Sequence, residues 1–102
     1  MARPASGHAG EMWETNDPNG RRVVLTRRSW EHVLVRHPEI EIHFTDVLQA
    51  VERPTLHTPG RESHEEWLFL RDAGPSRWLH VVVHFVGSEG SVATAFGRSR
   101  LP

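Results

Sequence analysis

Two histidines stand four residues apart in an apolar, β-branched run, residues 77–86 (RWLHVVVHFV). Side chains alternate across a strand, so Leu79, Val81, Val83 and Phe85 share one face. Trp78, His80 and His84 share the other. An imidazole titrates near neutrality and can accept or deliver a proton. A second run, residues 91–98 (SVATAFGR), supplies Thr94 and Arg98. A guanidinium grips a phosphate through parallel hydrogen bonds and stabilises the charge added in its transition state. A threonine hydroxyl can donate to a non-bridging oxygen, and an indole offers a base a stacking platform. This is a kit for phosphodiester transfer without a metal. RNA carries its own nucleophile, the 2′-hydroxyl, so none is needed from the protein. That fits a chain with no cysteine and no Gly-x-Ser-x-Gly elbow.

A plainer role stands beside this one. The second face of an antiparallel sheet often meets water, and histidines there are commonly just solvated. Metal binding has weaker support. His80 and His84 would lie about 13 Å apart on a strand, too far to share one ion. His32 and His37 fall on different helix faces. The segment HEEWL (64–68) resembles half of a zinc-protease motif but lacks the second histidine. No metal and no cofactor is expected.

Register decides whether the kit assembles. Ser88-Glu89-Gly90 suits a three-residue hairpin loop with Gly90 left-handed. That loop sets His84 opposite Thr94, His80 opposite Arg98, Phe85 against Ala93 and Val83 against Ala95. A two- or four-residue loop would shift the register by one and send Thr94 into the core. The neighbouring strand adds Arg71, or Glu65 and Trp67.

The elements that must carry these residues follow from pattern. Residues 1–20 lack any period and read as a flexible tail, with Met12 and Trp13 as its only anchors and Asp17-Pro18-Asn19-Gly20 as a turn. His8 in this tail has no expected role. Residues 21–26 (RRVVLT) read as a strand. Trp30, Val33, Leu34 and His37 form one helical stripe, capped by Thr26 or Ser29 and ended before Pro38. The stripe points His37 toward the sheet. Residues 44–53 form a second helix with Thr45 as its cap. Strands are expected at 55–58, 64–72, 77–86 and 91–98. The expected fold is α+β: two helices packed on one face of a four-stranded antiparallel sheet, in the order β-α-α-β-β-β-β. Residues 21–102 then make one domain.

Composition limits the alternatives. The chain has 102 residues, room for one domain. Absence of cysteine excludes disulfides and thiol catalysis. No apolar run is long enough to span a membrane. Arg3 has no apolar stretch after it, so a secretory signal is not expected and a cytoplasmic location is. A net charge of −1 argues against coating nucleic acid by charge alone. It leaves room for a local basic cleft, and Arg27-Arg28 beside Arg21-Arg22 could guide a phosphate backbone.

Trp30, His37-Pro38-Glu39 and Val92-Ala93-Thr94-Ala95-Phe96, in that order and spacing, resemble the phage- and toxin-associated nucleases of the barnase–EndoU–colicin–RelE (BECR) superfamily. The similarity runs from about Arg22 to Arg100 and is closest to the small phage-encoded branch. It implies two helices followed by a four-stranded antiparallel sheet. It also implies a toxin-like, metal-independent endoribonuclease that leaves a 2′,3′-cyclic phosphate, with an antitoxin or immunity protein as a conceivable partner. Matched onto this chain, His37 takes the place of the family's helix histidine and Thr94 that of its last-strand hydroxyl. Arg71 is the middle-strand cation. His84 and Arg98 come from the register instead. In the expected mechanism His37 or His84 takes the 2′-hydroxyl proton and the other protonates the leaving 5′-oxygen. Arg71, Arg98 and Thr94 hold the phosphate, while Trp78, His80, Arg27 and Arg28 bind the RNA. The alternative is a non-enzymatic module of the same fold that binds RNA or protein.

Overall fold

The computed structural model describes residues 3–4 and 12–102, with side chains from residue 13 onward. Seven strands form one sheet. They are β1 (Arg3–Pro4), β2 (Met12–Asn16), β3 (Arg22–Thr26), β4 (Leu56–Pro59), β5 (Glu65–Arg71), β6 (Trp78–Val86) and β7 (Glu89–Arg98). Between β3 and β4 come helix α1 (Arg27–Arg36), a 3₁₀ helix (Pro38–His43) and helix α2 (Phe44–Glu52). The spatial order of strands is β1-β2-β3-β7-β6-β5-β4.

This corrects the expected four-stranded antiparallel sheet. The α+β class and the two helices hold, but the sheet is wider and mixed. Arg22, Val23 and Val24 of β3 run parallel to Glu89, Gly90 and Ser91 of β7. Strand β2 lies within the stretch expected to be a tail. Its Met12–Asn16 register runs antiparallel against Thr26–Arg22 across the Asp17–Gly20 turn. Thr15 is buried and its hydroxyl donates to Glu52 at 3.3 Å, while Trp13 packs edge-on against Phe44 at 5.0 Å. The tail expectation for residues 1–2 and 5–11, His8 included, lies outside the described residues, as does the anchoring role of the Met12 side chain.

Local chemistry explains the helices. Thr26 caps α1, its hydroxyl accepting from the Ser29 amide at 3.0 Å. Pro38 stops α1 at Arg36, and the His37 amide closes the last turn on Val33 O at 2.7 Å. The chain does not loosen there. It winds into the 3₁₀ helix and buries Ile40 completely. For this reason Thr45 is not a cap: α2 grows out of the preceding turn and has no side-chain cap.

One apolar cluster joins Val23, Leu25, Val33 and Ile40 to Val47, Val51 and the inward residues of β5–β7. Leu79, Val81, Val83 and Phe85 point into it as expected. A separate ion-pair network staples the sheet's corner. Arg21 bridges buried Asp17 and Glu66 at 2.6 Å each and lies 3.7 Å over the Phe85 ring. His57 Nε2 sits 2.6 Å from the same Glu66 carboxylate. The Arg21 guanidinium, against the opposing effect of burial and with help from His57, holds the Glu66 pKa down to about 2.

Candidate functional site on the second sheet face

The β6–β7 hairpin sets the site. Its loop is two residues, Gly87-Ser88, not three. Val86 pairs with Glu89, Phe85 with Gly90 and His84 with Ser91. Gly87 has φ +61, the left-handed start that a two-residue hairpin requires and that glycine adopts without strain. By itself this loop would turn Thr94 inward. A bulge between Val82 and Val83 restores the phase: Val83 faces Val92, but Val82 faces Thr94. The extra residue re-aims everything beyond it. Thr94, Phe96 and Arg98 therefore lie opposite Val82, His80 and Trp78, all on the second face. The expected pairs His84–Thr94 and His80–Arg98 do not form; His84 meets Ser91 and His80 meets Phe96.

Strand β5 completes the surface. Arg71, Phe69, Trp67 and Glu65 pair with Trp78, His80, Val82 and His84. Thus Arg71, Trp78, His80, His84, Thr94 and Arg98 all share one face. The Arg71 guanidinium lies 5.9 Å from the Trp78 ring. Arg98 Nε donates to Arg100 O at 3.1 Å.

His37 reaches this face from the end of α1. That helix continues from β3 and packs along β7. The His37 ring stacks on Phe96 at 5.3 Å and 27°. Phe96 in turn lies 4.7 Å from His80. Three rings therefore run His37–Phe96–His80. His37 is part-exposed, with its Nδ1 3.7 Å from a Glu39 carboxylate oxygen.

His80 is not the solvated histidine expected of an outer face. It is 2% exposed and walled by Trp67 at 4.8 Å, Phe69 at 4.4 Å and Phe96. Neither ring nitrogen has a hydrogen-bond partner among the described residues. Burial, with Arg98 nearby, pushes its pKa down to about 4, so the ring is neutral at pH 7.

His84 stands apart. It lies two strand pairs from His80, about 13 Å along β6. Its Nε2 is 3.8 Å from Glu65, and its ring meets His64 edge-on at 4.9 Å. Burial opposes ionisation of Glu65, but the Glu62 and Arg61 amides, Trp67 and His84 outweigh it and lower its pKa. His37 and His84 are therefore at different ends of the face, and the structure does not bring them together as an acid–base pair.

Arg27 and Arg28 are also elsewhere. They open α1, whereas His37 follows its end, so about 15 Å of helix separates them. Arg27 pairs with Glu31 at 3.3 Å beside a groove formed with Trp13, Trp30 and Phe44. Trp67 is among the residues expected from the neighbouring strand; the residue missed from sequence is Phe69. Its alternation with Trp67 and Arg71 on β5 places it opposite His80, a signal readable only once the β5–β6 register is known.

Among the described residues, Asp17, His57 and Glu66 offer ligand atoms within 4.8 Å of one another. The Arg21 guanidinium already serves both carboxylates, so these residues read as an ion-pair network. No helix among the described residues is long and apolar enough to cross a membrane. Comparison with known proteins finds no matching family model, no similar curated protein and no similar solved structure.

Proposed function

We propose that this protein acts on RNA through the second sheet face, as a metal-independent endoribonuclease of the toxin-like, phage-associated BECR kind. The observation that carries this reading is the ring stack His37–Phe96–His80, with Thr94 and Arg98 on either side of Phe96. Of the two imidazoles in the stack, His37 is the one with access to solvent, and it serves as the base for the 2′-hydroxyl proton. Arg98 and Thr94 hold the phosphate, and Arg71 with Trp78 extends the surface for a neighbouring nucleotide. His84 is not paired with His37 in this scheme, so water returns the proton to the leaving 5′-oxygen. An RNA substrate implies action in the cytoplasm.

The test is incubation of a mixed RNA pool with EDTA, followed by detection of 2′,3′-cyclic phosphate ends. Wild type should produce them. His37→Ala and Thr94→Ala should lower the rate about 100-fold or more, the scale of a lost general base or oxyanion donor. Intact RNA, with and without divalent metal, would sink the enzyme reading. The separation of His37 from His84 favours one alternative, a non-enzymatic module that binds RNA or protein on the same face. In that case His37→Gln leaves affinity near the wild-type value.

A further inference from the structure

We propose that Phe96 holds the place of a nucleobase, and that the slot between the His37 and His80 rings takes a pyrimidine of single-stranded RNA. This rests on the second face being an RNA surface, and it names which base is read and by which residue. The starting point is the unpartnered histidine. His80 is 2% exposed with two ring nitrogens unpaired among the described residues. Buried polar groups are nearly always paired, and an orphan often marks a functional position. A neutral imidazole offers one donor and one acceptor. The rings of Phe69 and Phe96 against it offer no hydrogen-bonding atom, and that of Trp67 offers only an indole donor, which makes no bond to it. A nucleobase edge offers both.

Phe96 is the replaceable wall. It is half-buried, whereas Phe69 is fully buried. Its ring already lies in a stack, 27° from parallel with His37 and 46° from His80. A base in its position would stack on His37 and bring hydrogen-bonding atoms to His80, which phenyl cannot do. Size selects the base. Phenyl and pyrimidine are both single six-membered rings, while a purine carries a second ring that the slot would have to widen to admit. The flanking phosphates then have partners. Thr94 and Arg98 are two residues to either side of Phe96 on the same face, about 7 Å along the strand.

The experiment uses 2′-O-methyl oligonucleotides, which cannot be cleaved through the 2′-hydroxyl. End-labelled oligouridylate, oligocytidylate and oligoadenylate are titrated into the full chain, and free uridine into Phe96→Ala. Wild type should bind both pyrimidine oligomers about tenfold or more tighter than oligoadenylate, the discrimination expected of a fitted base pocket. His80→Leu should bind all three alike. Phe96→Ala should bind free uridine where wild type does not, because the vacated slot is preformed. Equal binding of all three oligomers by wild type, or a pyrimidine preference that survives in His80→Leu, overturns the slot and leaves the RNA surface standing. Failure of every oligomer to bind wild type overturns both.

Discussion

Replacing His80 with leucine should stabilise the protein while disabling its second face. Leucine nearly matches the imidazole in volume and removes two nitrogens that lack partners among the described residues. An unsatisfied buried polar group costs about 1–3 kcal/mol, so His80→Leu should gain about that much at pH 7.5. For a domain near this size, that is roughly 4–8 °C in Tm per kcal/mol. The pH dependence is the sharper check. The folded pKa of His80 lies at about 4, below its ordinary 6.5. The unfolded chain therefore binds the proton more readily, and wild-type stability falls as pH drops from 6.5 toward 4. At pH 4.5 the loss from this one group is about 2.5 kcal/mol. His80→Leu lacks it. The assay is urea unfolding of both proteins at pH 7.5 and pH 4.5, comparing midpoints at a shared slope. Other titrating groups are common to both chains and cancel in the comparison. The gap between variant and wild type should widen by about 2.5 kcal/mol on acidification. An unchanged gap, or a leucine variant less stable at both pH values, refutes the view of His80 as a buried, neutral and unpartnered base.

Removing Arg21 should be costly, because it leaves the carboxylates of buried Asp17 and of Glu66 uncompensated. Arg21→Ala should lose about 3 kcal/mol in urea unfolding. The Glu66 pKa is held down to about 2, so the stability this pairing adds is complete above 4.5 and lost as pH falls through 2. Arg21→Ala should therefore flatten the acid-unfolding curve in that window. Ile40→Ala should cost about 2–5 kcal/mol if the 3₁₀ helix is part of the core, and close to nothing if that segment is a loose connection. Trp13→Ala should lower Tm measurably through lost packing on Phe44, whereas a tail residue would tolerate the change. Thr26→Ala should cost about 1 kcal/mol, the value of one helix cap, read by thermal unfolding.

Much of the fold was legible because each signal was local. A cap at Thr26 or Ser29, Pro38 as stop, and the inward set Leu79, Val81, Val83 and Phe85 all follow from spacing and residue chemistry; the structure selects Thr26. The sheet's width was not. Met12–Asn16 has one large apolar residue that packs and one buried threonine, too thin an alternation to stand out from a Gly- and Pro-rich stretch. Asp17-Pro18-Asn19-Gly20 signals a turn, but nothing in those four residues says that the segments on either side of it pair. The parallel β3–β7 pair joins residues 67 apart in number, Arg22 and Glu89, and no local pattern encodes such a partner. The second face shows two departures that offset each other. Gly87-Ser88 is itself a two-residue hairpin signal, and with it alone Thr94 would have turned inward. The bulge at Val82/Val83 returns Thr94 to the expected face by a route that alternation cannot reveal.

The near-zero net charge looks like an objection to an RNA-acting protein until the charges are followed to their partners. Arg21 is taken by Asp17 and Glu66, Arg22 by Glu14 and Glu89, and Arg27 by Glu31. These pairs lie at the sheet's corner, along β2–β3 and on α1, and they consume acids there. On the second face the balance differs. Arg98 has a backbone carbonyl as its hydrogen-bond partner and no carboxylate among the described residues. Among the described residues the one carboxylate near Arg71 is that of exposed Asp72 at 3.9 Å, a contact worth little in water. Both cations flank the aromatic rings that would stack bases. A phosphate arriving there displaces no strong ion pair. Charge reversal tests this directly: Arg98→Glu should abolish RNA binding on this face, while Arg22→Glu, at the same cost in net charge, should leave it near the wild-type value. If the two variants weaken binding equally, overall charge rather than the second face governs the interaction.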